Sequence, residues 1–193
     1  MGFAGIIGCL AVLAIGVIIL VVIAIVLYNK LVGLKNRSEN AWADIDVQLK
    51  KRYDLIPNLV ETVKGYASHE KETLENVIKA RQQAIQITDD VAKMANAENM
   101  LTQSLRQLFA VAENYPDLKA NQNFLELQKT LETIENVLSE SRRYYNAVVR
   151  DLNTAIEKVP TNIIASIFHF LKREYFEIED VGQKEPPKVD FGG

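Results

Sequence analysis

Residues 121–159, NQNFLELQKTLETIENVLSESRRYYNAVVRDLNTAIEKV, carry the pattern that decides the fold. Phe124, Leu131, Leu138, Tyr145, Leu152 and Val159 recur every seven residues, and Leu127, Ile134, Ser141, Val148 and Ala155 fill the intermediate register. An a/d seam sustained in this way predicts one helix of about 40 residues, about 60 Å long. Pro116 and Asp117 precede it and Pro160 follows it, as start and stop signals should. A helix with one apolar face must bury that face against others, so the fold class is all-α.

Upstream, a similar seam runs through Leu31, Leu34, Ser38, Trp42, Ile45, Leu49, Arg52, Ile56, Val60 and Val63. Gly65 marks its C-terminal end. Pro57 lies inside it. An interior proline removes one backbone hydrogen bond at a cost of about 3 kcal/mol, which predicts a kink or short break near Tyr53 to Ile56, with Asp54 free to cap the helix beyond it.

Further upstream the composition changes abruptly. All 22 Lys and Arg and all 25 Asp and Glu stand at or beyond Lys30. The run from Phe3 to Leu27 is wholly apolar and long enough to cross a hydrocarbon core of about 30 Å. No basic residue precedes it and it is too long for a signal-peptide core, so an uncleaved span is expected. Ile6-Ile7-Gly8-Cys9 only faintly resembles a lipoprotein cleavage box, and Cys9, as the single cysteine, excludes an intramolecular disulfide. Tyr28, Lys30, Lys35 and Arg37 are the expected anchors at the membrane surface. The positive-inside rule then places the N-terminus outside and the body in the cytoplasm. Nothing of loop composition separates Tyr28 from Leu31, so the span is expected to continue as helix into the body.

Between the two seams, Ser68 is expected to open a second arm with Glu70 and Glu72 in its first turn, ending before Tyr115-Pro116 and bent or split between Thr88 and Asn99, where the pattern thins. After Pro160, Thr161 can cap a short helix to Leu171. The expected architecture is an N-terminal transmembrane helix (1–28) continuing into an antiparallel up-and-down bundle of three long helices plus a short C-terminal one (29–181), with an extended tail (182–193).

The small net charge of −3 argues against a nucleic-acid binder. His69-Glu70-Lys71-Glu72 lacks the second histidine of a zinc helix, and His169 sits between two phenylalanines. No phosphate-cradling glycine loop, nucleophile elbow or metal set is visible, so no enzymatic activity, cofactor or small-molecule substrate is expected. Lys50-Lys51-Arg52 would stand about 33 Å beyond Leu27, several Debye lengths from the membrane.

The stretch Ala41 to Val60, with Asp54-Leu55-Ile56-Pro57-Asn58-Leu59-Val60 at its centre, is too long and polar to arise from helix periodicity alone. With Tyr28-Asn29, Leu31-Val32, Leu34-Lys35-Asn36, Val63-Lys64-Gly65-Tyr66, His69-Glu70, Glu174-Tyr175-Phe176 and Pro187-Lys188-Val189-Asp190-Phe191, it closely resembles the LemA family of bacterial membrane proteins. The resemblance implies a single N-terminal span, a helical-bundle domain and no established enzymatic activity. Members look like scaffold or envelope-organising proteins, and a magnetosome-associated relative suggests membrane remodelling in one lineage.

Asp44, Gln48, Arg52, Asp54 and Asn58 share one helix with Trp42, Ile45, Leu49 and Ile56. They are the expected polar network, fixing helix register or docking another copy at the Pro57 bend. Two functions remain open. The first is a scaffold that self-associates or binds a protein partner at the bilayer. The second is a regulatory adaptor presenting the bundle to a protease or kinase.

Overall fold

In a computed structural model, residues 2–87 and 90–176 are described. The tail expected at 182–193 lies outside them. The described chain is all-α: α1 (Gly2–Lys64), α2 (Lys71–Gln86), α3 (Val91–Ala112), α4 (Pro116–Lys119), α5 (Gln122–Glu157) and α6 (Thr161–Ile167). It divides into two compact units. Among the described residues, the first holds 2–44 and Arg143–Arg173, and the second holds Ile45–Arg142 and 174–176. α1 and α5 contribute residues to both, and position 28/29 falls inside α1.

In the second unit the arm expected from Ser68 to before Tyr115-Pro116, bent or split, is two helices that double back on each other. Only four residues link Gln86 to Val91, and α2 and α3 pack together, which requires them to be antiparallel. The Tyr115 hydroxyl beyond the end of α3 donates to Glu70 before the start of α2, at 3.1 Å. The break falls where the apolar pattern thins, because Asp90 is extended there and its carboxylate accepts the Lys93 N–H at 2.9 Å, capping α3. Ser68 caps nothing. It is exposed in the turn, and α2 begins three residues later with no side-chain cap.

The end of α1 meets the start of α5, where Asn121 donates to the Tyr66 hydroxyl at 2.9 Å. The unit is thus an up-down-up-down bundle of α1, α2, α3 and α5, four long elements rather than three. α4 is a single turn begun by Pro116, and Asn121 caps α5 by accepting the Phe124 N–H. Ile56, Val63, Val77, Leu101, Leu108 and Phe124 lie in its core.

Pro57 does not break α1, which is helical through it, and Asp54 is an exposed mid-helix residue instead of a cap. Lacking an N–H, Pro57 leaves the carbonyl of Tyr53, four residues back, without its intrahelical donor. Arg81 of α2 supplies one: its Nε donates to that carbonyl at 2.7 Å. The proline therefore makes an acceptor on α1 that only a neighbouring helix can fill.

In the first unit, α1 carries its apolar stretch in the open. Residues from Ile6 to Val26 are exposed except for Ala24, and Leu31 is completely buried. This is one helix long and apolar enough to cross a membrane. Leu31, Ala155, Ile164 and Ala165 form a small core, and Trp42 packs on Tyr145 with ring centroids 5.3 Å apart. The seam on α5, Phe124 to Ala155, is inward at both heptad positions, with Leu127 and Ser141 half-buried. Val159 lies beyond the helix end and is 70% exposed. Beyond α6 the chain turns at His169, whose φ of 55° is left-handed. Its N–H bonds the Ser166 carbonyl and that of Phe170 bonds Ala165, a Schellman closure with histidine where glycine is usual. Thr161 is a buried residue inside α6, not its cap.

The Pro57 arrangement has a measurable signature. Replacing Arg81 by Met should cost about 1.5 kcal/mol, the worth of a charge-assisted hydrogen bond. In a Pro57→Ala background the new N–H satisfies Tyr53 and the cost should fall by more than half. Equal losses in both backgrounds, measured by denaturant unfolding of the detergent-extracted chain, would exclude the coupling.

Candidate functional site

Three residues beyond Leu49 and four before Ile56, Arg52 falls on the core face of α1 and is completely buried. A guanidinium removed from water in this way is tolerated only when ion pairs and hydrogen bonds replace its hydration. Its Nη1 donates to Glu98 Oε2 at 2.7 Å. Its Nη2 donates to Thr102 Oγ1 at 2.8 Å and lies 2.7 Å from Glu135 Oε1. Glu98 and Thr102 are one turn apart on α3, so one helix face presents both.

Glu98 is itself 1% exposed and receives two further groups. Tyr53 donates its hydroxyl to Oε1 at 2.5 Å, and Arg142 approaches Oε2 at 3.4 Å. Arg142 stands seven residues from Glu135 on the same face of α5, and its guanidinium lies 4.7 Å from the Phe176 ring centroid, a cation–π distance. Two cations and two carboxylates thus meet where α1, α3 and α5 converge. Burial chiefly, and then the charge of Glu98, push the Tyr53 phenol far above its usual range, so it stays a neutral donor. Burial pulls Arg142 below the ordinary guanidinium value, and Glu98 opposes that shift. The Nε atoms of Arg52 and Arg142 are buried without a partner.

Glu135, whose side chain is 35% exposed, is the outer member of the cluster and borders a groove of about 430 Å³ lined also by Thr102, Arg106 and Phe109. Both oxygens of the inner carboxylate are engaged, which suits a fixed pin between helices. Among the described residues, no three His, Cys, Asp or Glu side chains are grouped to hold a metal ion.

Of the five residues expected to form a polar network, only Arg52 lies in this cluster. Asp44, Asp54 and Asn58 are exposed and Gln48 is half-buried. Asp54 is two positions on from Arg52, about 200° around the helix, so it faces away. The partners had to come from other helices. Glu98 had one legible signal: it stands on the apolar face defined by Met94, Leu101 and Leu105. Thr102, Glu135 and Arg142 had none, because at single positions they read as ordinary solvated helix residues. The expected surface anchors Tyr28, Lys30, Lys35 and Arg37 are exposed, and the Tyr28 ring contacts Phe168 and Phe170.

The sequence model of the LemA family matches residues 41–191. The chain is 24% identical over 153 residues to Protein LemA of Metamycoplasma hominis, covering 79% of this chain and 70% of that protein. It is 22% identical over 180 residues to Magnetosome protein MamQ 2 of Paramagnetospirillum magneticum and, with the same figures, to Magnetosome protein MamQ of Magnetospirillum gryphiswaldense. Each of those matches covers 80% of this chain and 66% of the relative, so the chain spans about two thirds of the magnetosome proteins' length.

The cluster makes two outcomes measurable. Arg52→Met leaves the buried Glu98 charge with the neutral Tyr53 hydroxyl and, as its cation, the more distant Arg142, and should lower unfolding stability by about 3–5 kcal/mol; a loss under about 1 kcal/mol would show the cluster to be dispensable. Tyr53 holds its proton above its unfolded value of about 10, so its contribution is whole below that pH and declines as pH rises past it. Tyr53→Phe should therefore make stability fall less steeply above pH 10, in an alkaline titration followed by circular dichroism.

Proposed function

The chain belongs to the LemA family, and from that premise we propose that it is a single-pass bacterial membrane protein whose bundle acts as a non-enzymatic scaffold, self-associating or organising protein partners at the inner membrane. The observation that carries the anchoring is the change of solvent along α1. From Ile6 to Val26 its large apolar side chains are 45–70% exposed, and at Leu31 exposure drops to zero within the same helix. Lipid is the solvent that such a surface fits.

The scaffold reading is supported by the charge cluster, which ties three helices together through a buried carboxylate engaged by Arg52, Tyr53 and Arg142. The relatives named as magnetosome proteins are in keeping with that reading. The cations Lys30, Lys35 and Arg37 directly after the apolar stretch favour a cytoplasmic bundle.

Crosslinking and mass measurement of the detergent-extracted chain should give a stoichiometric homo-oligomer or a stable complex with stoichiometric partners. Recovery of a monomer with one substoichiometric protease or kinase would favour an adaptor instead. For topology, a cysteine placed at Asp44 in a Cys9→Ser chain should resist an impermeant maleimide in intact cells and react after permeabilisation; reaction in intact cells reverses the orientation.

A further inference from the structure

Resting on the reading of α1 as a membrane span, we propose that residues 159–171, comprising α6 and the turns on either side of it, form a second membrane contact that lies in the bilayer interface beside the point where α1 leaves it. The depth of this segment is fixed by what it touches on α1. The ring of Phe168 lies 4.7 Å from that of Tyr28, and Phe170 lies 5.9 Å from it on edge. The core containing Ile164 and Ala165 of α6 has Ala24 and Leu27 packed against it. Ala24 is about 6 Å deeper than Tyr28 along the helix axis. If Ala24 stands in hydrocarbon, the helix lying against it reaches the boundary between acyl chains and headgroups, the depth at which interfacial helices bind.

The outward face of the segment has the composition for that place. Ile164 and Ala165 point inward, whereas Val159, Ile163, Ile167, Phe168 and Leu171 are 54–81% exposed. No Asp, Glu, Lys or Arg occurs from Val159 to Leu171, and Lys158 and Lys172 bracket the run. Five large apolar side chains presented by so short a segment form a patch that water disfavours, and it is continuous with the exposed apolar surface of α1.

The segment is also held in position. Both side-chain groups of Asn153 on α5 bond the backbone of Arg173, at 2.9 Å to its N–H and 2.9 Å to its carbonyl, and the Arg173 guanidinium reaches Glu39 at 2.8 Å. Lys172 is paired with Glu157. With Lys172 and Arg173 already matched by acids, the attraction is chiefly apolar, and neutral phosphatidylcholine should be bound as well as anionic lipid.

The test uses the full chain with Cys9→Ser, reconstituted in phosphatidylcholine vesicles and carrying one bimane label at a cysteine replacing Ala14, Ile163, Leu171 or Asp46. Lipids brominated on the upper acyl chain should quench labels at 14, 163 and 171 severalfold more than at 46, with no change on raising the salt. Quenching at 14 but not at 163 and 171 overturns the interfacial segment and leaves the span intact. No quenching at 14 overturns the span reading itself. Labels at 163 and 171 shielded from both lipid and aqueous iodide would mean that another protein surface, such as a second copy, covers the segment, which also overturns the proposal.

Discussion

A guanidinium with no surface open to water has to be neutralised by other parts of the same molecule, and the bundle formed by Ile45–Arg142 is arranged around that demand at Arg52. The demand is directional as well as electrostatic. Nη1 and Nη2 point into a plane, and only a carboxylate from α3, a hydroxyl one turn further along it and a carboxylate from α5 fill that plane together. Hydrophobic seams tolerate sliding by a heptad, because one leucine resembles the next. A buried arginine that must meet Glu98, Thr102 and Glu135 at once does not tolerate it, so the cluster supplies the register that the apolar contacts leave loose.

The same logic recurs with backbone groups. Pro57 deprives Tyr53 of its helical donor and Arg81 supplies another. Asn153 bonds the backbone of a segment that has no regular partner of its own. In each case an irregular or polar feature is matched by one specific side chain elsewhere. The apolar surface holds the elements together, and these few pairs determine which elements meet and where.

Periodicity made much of this legible. Both long seams could be read residue by residue, including Arg52 as a seam position, and so could the uncharged head. The hairpin of α2 and α3 was not, since a thinning pattern between Thr88 and Asn99 does not distinguish a bent helix from two helices that fold back. That choice is made by the packing of the two apolar faces on each other, which is a tertiary matter. The partners of Arg52 were hidden for a related reason. A local search finds Asp54, which helix geometry turns away, whereas Glu98 acts from another helix. Pro57 was recognised as a disturbance, but its consequence is a contact with α2 and not a break in α1.

The distances along the chain between these partners bear on how the protein is made. Glu98 lies 46 residues after Arg52 and Thr102 lies 50 after it, and Glu135 comes later still. When α1 is complete on the ribosome, its most buried cation has no counterion, and none is synthesised until α2 and the start of α3 have been produced. Contacts so distant in sequence form slowly. A nascent chain in this condition displays an apolar face with a single unmatched charge, and a carboxylate on a neighbouring finished copy could satisfy it wrongly. The interaction that makes the mature bundle unambiguous is therefore also the one that leaves its early chain most exposed to pairing with the wrong molecule.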